Sequence, residues 1–198
     1  MLVGLTVWAI VVVIRAQGAA RWRQVGWTVV AMLFTYMAVD DGAQLHERFG
    51  TAVQVLREES DPSALAFFPS YTWQIVFGPI FAVLGLAVAV FLWRELSDRV
   101  ALALVFAALS CFALAVGLDF IEGLDADHPL NVYTILTTRT GVDAWAAGRF
   151  GRAGYEALDH FGRSLEEFLE MLGGTLFWTA FLRVLTSVTP ELRVRWSR

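Results

Sequence analysis

Long apolar runs that alternate with short, arginine-bearing polar stretches are the feature that most limits how this chain can fold. Apolar side chains make up 57% of its 198 residues, and they are concentrated in these runs. A helix needs about 20 apolar residues to cross a bilayer, and repeated runs of this kind are typical of multi-pass membrane proteins. We therefore predict an all-α integral membrane bundle that forms a single membrane domain over residues 1–198.

The apolar runs predict about five transmembrane helices. Their approximate ranges are residues 2–22, 25–48, 73–93, 100–122 and 165–187. The longer polar stretches 49–72 and 123–164 are predicted to be extracytoplasmic loops. The first run is followed rather than preceded by arginines, which is the reverse of the charge order in a signal peptide, so we interpret it as a retained helix.

The arginines also predict the orientation of the chain. Nine of them fall in short segments on one side of the five spans, and six are spread through longer loops on the other side. The positive-inside rule then places the N-terminus outside and the C-terminus in the cytoplasm, in the cell inner (plasma) membrane. A net charge of −4 gives no support to nucleic-acid binding. The expected partners are the lipid bilayer, a lipophilic substrate and other membrane subunits.

Acidic residues gather where three predicted spans reach the extracytoplasmic side. One group ends the second span, one ends the fourth and one begins the fifth, and residues three or four apart on a helix share a face. Eight carboxylates beside a low-dielectric bundle require protonation or bound cations, since Arg48 and Arg163 are the cations close to them in sequence. The eight are Asp40, Asp41, Glu47, Asp119, Glu122, Glu166, Glu167 and Glu170.

A purely structural explanation is available for only one of these groups. Ser164 and Glu167 fit a helix capping box, and a helix start favours nearby negative charge. Asp119 and Glu122 lie instead at the predicted end of a helix, where the helix dipole opposes negative charge. The same holds for Asp40 and Glu47 if the second helix continues to Arg48. These residues therefore need another source of positive potential.

Carboxylates and imidazoles that project from several helices are ligands suited to Fe, Mn or Zn, and an all-oxygen set suits Ca. The chain has no Glu-x-x-His motif, so the similarity to di-iron bundles is one of ligand type only. Asp119 and Glu166 are the predicted catalytic residues, as a proton acceptor or as groups that orient the ligands. The predicted metal ligands are Asp41, His46, Glu47, Glu122, Glu167 and Glu170.

These residues predict a site for one or two metal ions near the extracytoplasmic face. Such a site would serve an oxidoreductase or a hydrolase that acts on a lipophilic substrate. Two alternatives remain open. In the first, the chain is a non-catalytic subunit of a larger membrane complex. In the second, it is a haem b protein in which His46 and His160 are the axial ligands.

One pattern in the sequence resembles a group of small, functionally uncharacterised bacterial multi-pass membrane proteins. It consists of Asp40-Asp41-x4-His46-Glu47, then Glu122, then Glu166-Glu167-x2-Glu170-Met171. The similarity covers the second, fourth and fifth spans, about half of the chain. It implies that these residues belong together, and it brings no known activity, substrate or cofactor.

Overall fold

The computed structural model describes residues 1–60 and 70–189, apart from the side chains of Asp41, His46, Glu47, Gln54, Thr72 and residues 57–60. Within this part the chain forms eight helices and no strand, which confirms the all-α prediction. The helices are α1 (Leu2–Ala16), α2 (Arg21–Ala43), α3 (Leu45–Ser60), α4 (Thr72–Glu95), α5 (Arg99–Glu122), α6 (Val132–Arg139), α7 (Val142–Phe150) and α8 (Gly154–Val188).

Three helices of the described part, α4, α5 and α8, are long and apolar enough to cross a membrane. Their mean hydropathies are 2.7, 2.5 and 1.3, and α1 is a shorter apolar helix. The 35 residues of α8 span about 52 Å, well beyond the roughly 30 Å of a hydrocarbon core. The predicted fourth span ends with α5, at residue 122. These features are those of a membrane protein.

The chain divides into two compact units. The first consists of Met1–Gln44, Val83–Leu109 and Leu172–Arg198, and the second consists of Leu45–Ala82 and Ser110–Met171. The core of the first unit is built by buried aromatic rings. Phe34 packs edge-on against Phe177 at 4.9 Å and against Phe181 at 5.6 Å between ring centroids, and Trp27 packs against Phe181 at 5.8 Å.

Ion pairs neutralise the acidic groups near the end of α4 in the first unit. Arg23 Nε donates to both carboxylate oxygens of Glu95, at 2.8 and 2.9 Å. Asp98, between α4 and α5, accepts a hydrogen bond of 2.8 Å from Arg183 Nε. That hydrogen bond holds the pKa of Asp98 below its usual value. The carboxylates at this end therefore already have cationic partners.

The predicted continuous helix from residue 25 to residue 48 is replaced by two helices. The helix α2 ends at Ala43, and Gln44 adopts a left-handed conformation with φ 51° and ψ 43° before α3 begins at Leu45. Asp40 and residue 47 therefore lie on separate helices, and not on the one helix predicted to continue to Arg48. Residue 47 lies in the first turn of α3, and not at the C-terminal end of a helix.

The predicted loop regions also contain helices. Residues 49–60 of the expected loop 49–72 belong to α3, while α6, α7 and the start of α8 lie within the expected loop 123–164. Because α8 begins at Gly154, Ser164 lies inside the helix. Its hydroxyl donates to the carbonyl of His160 at 2.9 Å, so it does not cap a helix start. Glu166 is consequently more than two turns from the helix N-terminus, beyond the range of the dipole.

The chain's single cysteine, Cys111, lies in the middle of α5. Its thiol is free, and the residue is 9% exposed. The boundary between the two units divides α5 between Leu109 and Ser110, and Cys111 belongs to the second unit. A thiol in such apolar surroundings behaves as a small hydrophobic side chain.

Candidate functional site

A polar site in the second unit surrounds Glu166 on α8. We define the Glu166 site as Glu166 with the four charged residues that act on it electrostatically. Three of them are carboxylates, Asp119 and Glu122 at the end of α5 and Glu170 one turn along α8, and the fourth is Arg163. Within the described part, negative charge thus exceeds positive charge around Glu166.

Glu122 is held by two donors. The hydroxyl of Tyr71 donates to Glu122 Oε1 at 2.9 Å, and Arg163 Nη2 lies 2.8 Å from the same oxygen. The side chain of Glu122 is only 12% exposed, so the ion pair is screened less than one on the surface. Arg163 also lies 3.5 Å from Asp159, one turn earlier on α8. This arginine therefore compensates two carboxylates besides acting on Glu166.

The surroundings of Tyr71 raise its pKa. Partial burial is the largest cause, followed by the hydrogen bond to Glu122 and the negative charges of Glu122 and Asp119. Ionisation of the phenol would place a further negative charge beside these two carboxylates, which is unfavourable. Tyr71 thus remains a hydrogen-bond donor over the whole physiological pH range.

Asp119 is contacted by a buried amide. Gln74 Nε2 donates to Asp119 Oδ2 at 2.6 Å, and Gln74 itself is 9% exposed. The other end of the amide, Gln74 Oε1, is buried and has no hydrogen-bond partner in the described part of the chain. A buried carbonyl oxygen without a partner is costly, so this position favours a bound donor or cation.

A second buried polar atom without a partner in the described part is the hydroxyl of Tyr133. Tyr133 is 6% exposed and lies against Gly162 of α8, where a Cβ atom would collide with this hydroxyl. Burial raises the pKa of Tyr133, as do the negative charges of Asp159, Glu122 and Glu166. The hydroxyl is therefore held neutral beside an acidic region.

Asn131 positions Tyr133. This fully buried residue caps α6, because its side-chain oxygen accepts from the backbone N–H of Thr134 at 3.1 Å. Its Nδ2 donates to the carbonyl of Leu124 at 3.1 Å and lies 3.2 Å from the hydroxyl of Tyr155. The segment that follows α5 is thereby tied to the start of α6 and to α8.

Close backbone contact places Tyr71 beside the end of α5. The hydroxyl of Ser70 donates to the carbonyl of Phe120 at 2.9 Å. At Gly123 a Cβ atom would lie only 2.9 Å from the backbone nitrogen of Tyr71, so a larger residue would separate the two segments. Glycine at this position allows the approach that brings Tyr71 and Gln74 to the carboxylates of α5.

The structure brings together only some of the predicted site residues. Asp119, Glu122, Glu166 and Glu170 interact electrostatically in the second unit, whereas Glu167 is exposed on α8. The side chains of Asp41, His46 and Glu47 lie outside the described part of the chain. Among the described residues, no group of three or more His, Cys, Asp or Glu side chains is arranged to hold a metal ion.

Two other predicted participants are not among the charged residues of the Glu166 site. Asp40 is buried in the first unit, where the hydroxyl of Tyr36 donates to Asp40 Oδ1 at 3.4 Å. His160 is exposed on α8. A haem ligated by His46 and His160 stays a prediction, because the side chain of His46 is not described.

Tyr71, Gln74 and Tyr133 were not among the residues predicted for the site. The sequence pattern around Tyr71 is typical of an aromatic belt at the membrane interface, and Tyr133 falls in the predicted loop 123–164. Gln74 offers a usable signal, since it is an amide within the apolar start of a predicted span. Polar residues at such positions tend to have partners on neighbouring helices.

Comparison with known proteins identifies the family of the chain. Residues 1–185 match the model of a domain of unknown function, DUF8692. No curated protein and no solved structure matches the chain. This agrees with the resemblance to uncharacterised membrane proteins, and no activity is carried over with it. Because the match covers nearly the whole chain, this protein belongs to the DUF8692 family.

Proposed function

We propose that this chain is a multi-pass membrane protein that binds a divalent metal ion at the Glu166 site. Asp119 and Glu166 are the proposed carboxylate ligands, and Gln74 contributes its amide oxygen. The observation that carries the proposal is the buried Gln74 Oε1, which has no partner in the described part of the chain and belongs to the amide that contacts Asp119.

Charge supports the same proposal. Arg163 lies within salt-bridge distance of Glu122 and Asp159, which reduces the compensation it offers to Glu166. The helix dipole offers none, because Glu166 lies inside α8. Carboxylates near a low-dielectric region are stabilised by a bound cation, and a divalent ion would offset the excess of negative charge around Glu166.

The donors in the described part are all oxygen atoms, which favours hard cations such as Ca²⁺ or Mn²⁺. These side chains do not complete a metal-ligand set by themselves. His46 and Glu47, in the first turn of α3 in the same unit, are the sequence-based candidates for the remaining ligands. An imidazole among the ligands would shift the preference toward Fe, Mn or Zn.

A bound metal would supply Lewis-acid or redox chemistry, which suits a hydrolase or an oxidoreductase. The proposed role of Tyr71 is to keep Glu122 in place with a proton that it does not release at neutral pH. The site lies near the ends of two apolar helices, so a lipophilic substrate is the class that we propose. Five spans, an extracytoplasmic N-terminus and a cytoplasmic C-terminus form part of the same proposal.

Elemental analysis of the detergent-purified protein tests the proposal. We expect the wild-type protein, prepared without chelator, to retain a stoichiometric amount of Ca, Mn, Fe or Zn. An Asp119→Asn, Glu166→Gln variant should bind the same metal at least about ten-fold more weakly, because it loses two charged ligands. Circular dichroism would establish that the variant keeps its helical content.

Glu156→Gln is the matched control. This residue is an exposed glutamate on α8 that is not among the charges acting on Glu166, so its loss removes one charge from the same helix. Metal content should not change in this variant. Wild-type protein that binds none of the four metals, even when they are added, would refute the proposal. The acidic residues would then be better explained as a docking surface for another membrane subunit.

A further inference from the structure

Two apolar grooves of the first unit run along α4 and end at the same arginine. One has a volume of about 500 Å³ and is walled by Trp22 and Phe91, and the other measures about 350 Å³ and is walled by Trp93 and Phe106. Both grooves include Arg94. They also share Leu86 and Val90, so they lie on the two sides of one ridge of α4.

Aromatic contacts and one glycine form the walls. A Cβ atom at Gly26 would collide with the ring of Phe91, so glycine allows this ring to lie directly against α2. Trp22 meets Phe91 edge-on at 6.1 Å, and Trp93 meets Phe106 edge-on at 5.6 Å. Each groove therefore has a wall made of two aromatic rings in contact, whose packing resists collapse of the groove.

The length and the lining of the grooves suit an acyl chain. In the first groove Val83 and Arg94 are eleven residues apart on α4, which is about 16 Å along the helix, close to the roughly 15 Å thickness of one leaflet. The second groove is shorter, since Leu86 and Arg94 are eight residues apart, about 12 Å. Leu86 is 66% exposed and Val90 is 44% exposed, so the ridge between the grooves is apolar and accessible.

Arg94 lacks an acidic partner in the described part of the chain, although acidic residues lie close to it in sequence. Glu95 is paired with Arg23, and Asp98 is paired with Arg183. Among the described residues, the end of both grooves therefore carries one positive charge without an acidic partner. Trp22 and Trp93, which are 54% and 65% exposed, flank it in the way that aromatic residues flank lipid headgroups.

We propose that Arg94 and the two grooves bind one anionic phospholipid. Its phosphate contacts the guanidinium of Arg94, and each of its two acyl chains lies in one groove beside the ridge of Leu86 and Val90. A zwitterionic lipid fits the grooves equally well but gains less from the charge of Arg94, because its own ammonium group offsets the phosphate. The proposal requires α4 to lie in a membrane and is independent of metal binding, which involves the second unit.

Native mass spectrometry of delipidated protein in detergent, with dioleoyl phosphatidylglycerol or dioleoyl phosphatidylcholine added, tests this proposal. We expect the wild-type protein to bind one phosphatidylglycerol in preference to phosphatidylcholine. Arg94→Gln should reduce phosphatidylglycerol binding roughly five-fold, the effect of one arginine at an anionic surface, and should leave phosphatidylcholine binding nearly unchanged.

Two further variants separate the site from the surface in general. Arg99→Gln removes an exposed arginine from the start of α5, outside both grooves, and should leave both lipids bound as in wild type. Val90→Trp fills the grooves while it keeps Arg94, and should reduce the binding of both lipids. Equal binding of the two lipids by wild-type protein, or an Arg99→Gln loss as large as that of Arg94→Gln, would overturn the proposal.

Discussion

Tyr133 and Gly162 form a contact in which each residue depends on the size of the other. The hydroxyl of Tyr133 occupies the space next to Gly162 that a side chain would need. A glycine inside a helix costs about 0.5–1 kcal/mol relative to alanine, so the lack of a side chain at Gly162 has to be offset by this packing. The contact fixes where the phenol of Tyr133 lies relative to the helix that carries Glu166.

Gly162→Ala is expected to lower the free energy of unfolding by about 1–3 kcal/mol, because the new methyl group collides with Tyr133. Adding Tyr133→Phe to this variant removes the hydroxyl and should recover part of the loss. Thermal or denaturant unfolding in detergent measures both effects. Gly174→Ala is the control on the same helix, since no neighbouring atom of the described residues lies within 4 Å of a Cβ at that position. An equal loss in the control would show that helix α8 is sensitive to alanine for another reason.

Tyr71 is expected to stay protonated at a pH where an ordinary tyrosine ionises. Its pKa is raised above the usual value of about 10, so its contribution to stability is complete below that pH. The contribution is lost only as pH rises through the higher folded value. Ultraviolet absorbance of tyrosinate measures this. Between about pH 10 and 11, wild-type and Tyr71→Phe proteins should develop the same signal.

Glu122→Gln provides the complementary test for Tyr71. This substitution removes a charge that opposes ionisation and replaces the charged acceptor, so Tyr71 should ionise at lower pH than in wild type. The raised pKa of Tyr71 would be contradicted if, between about pH 10 and 11, the tyrosinate absorbance of the wild-type protein exceeded that of Tyr71→Phe by the amount expected for one tyrosine.

At the scale of helices, the break at Gln44 is a feature that the sequence pattern does not predict. Most left-handed positions at helix ends are occupied by glycine, and Gln44 is the one non-glycine residue with positive φ in the described part of the chain. Gly42 lies two residues earlier, inside α2, and does not end the helix. Because the residue that adopts the special conformation is a glutamine, hydrophobic periodicity predicts one helix where two exist.

Gln44→Gly is expected to raise the free energy of unfolding by about 0.5 kcal/mol, since glycine adopts the left-handed conformation without steric cost. Gln44→Val should lower it by about 1 kcal/mol or more, because a β-branched residue is strained there. Ala43→Gly, at the last residue of α2, is the control and should be destabilising. Thermal unfolding of the three variants checks the signs, and a destabilising Gln44→Gly would argue for a continuous helix.

For the other helices, the predicted range agrees with the structure where the local sequence pattern is clear. The runs at 73–93 and 100–122 correspond closely to α4 and α5, because each is a nearly unbroken apolar run that ends at charged residues. The early start of α8 was not predicted. Its first turns are polar and follow Gly151, so they resemble a loop, and Ser164 offered a false capping signal inside the helix.

The approach of Asp119, Glu122 and Glu166 could be predicted from the sequence, because their spacing and their place at the ends of apolar runs bring them to one side of a bundle. The partners of these carboxylates could not. Tyr71 and Gln74 reach them through the packing of a loop and the start of α4, and no periodicity encodes such contacts, whereas the nearness of Arg163 in sequence indicates its part. The sequence therefore predicts the charges of the site but not the uncharged groups that orient them.

At the scale of the whole molecule, the number of membrane crossings can be tested directly. The five proposed crossings would place the two termini on opposite sides of the membrane, and the arginine distribution predicts a cytoplasmic C-terminus. Single cysteines introduced at residues 3 and 187, in a Cys111→Ala background, should differ in labelling by an impermeant maleimide added to intact cells. Only the N-terminal cysteine should react. Labelling of both sites, or of neither, would indicate an even number of crossings.

The lone thiol of Cys111 makes the unmodified protein its own sensor of local opening. A maleimide small enough to enter detergent can react with this thiol only after α5 separates from its neighbours, because the residue is 9% exposed in the folded state. The rate of modification, compared with that of the unfolded chain, gives the equilibrium for that opening. The opening of α5 around Cys111 can thus be measured without introducing another cysteine, in the same samples that are used to measure metal content.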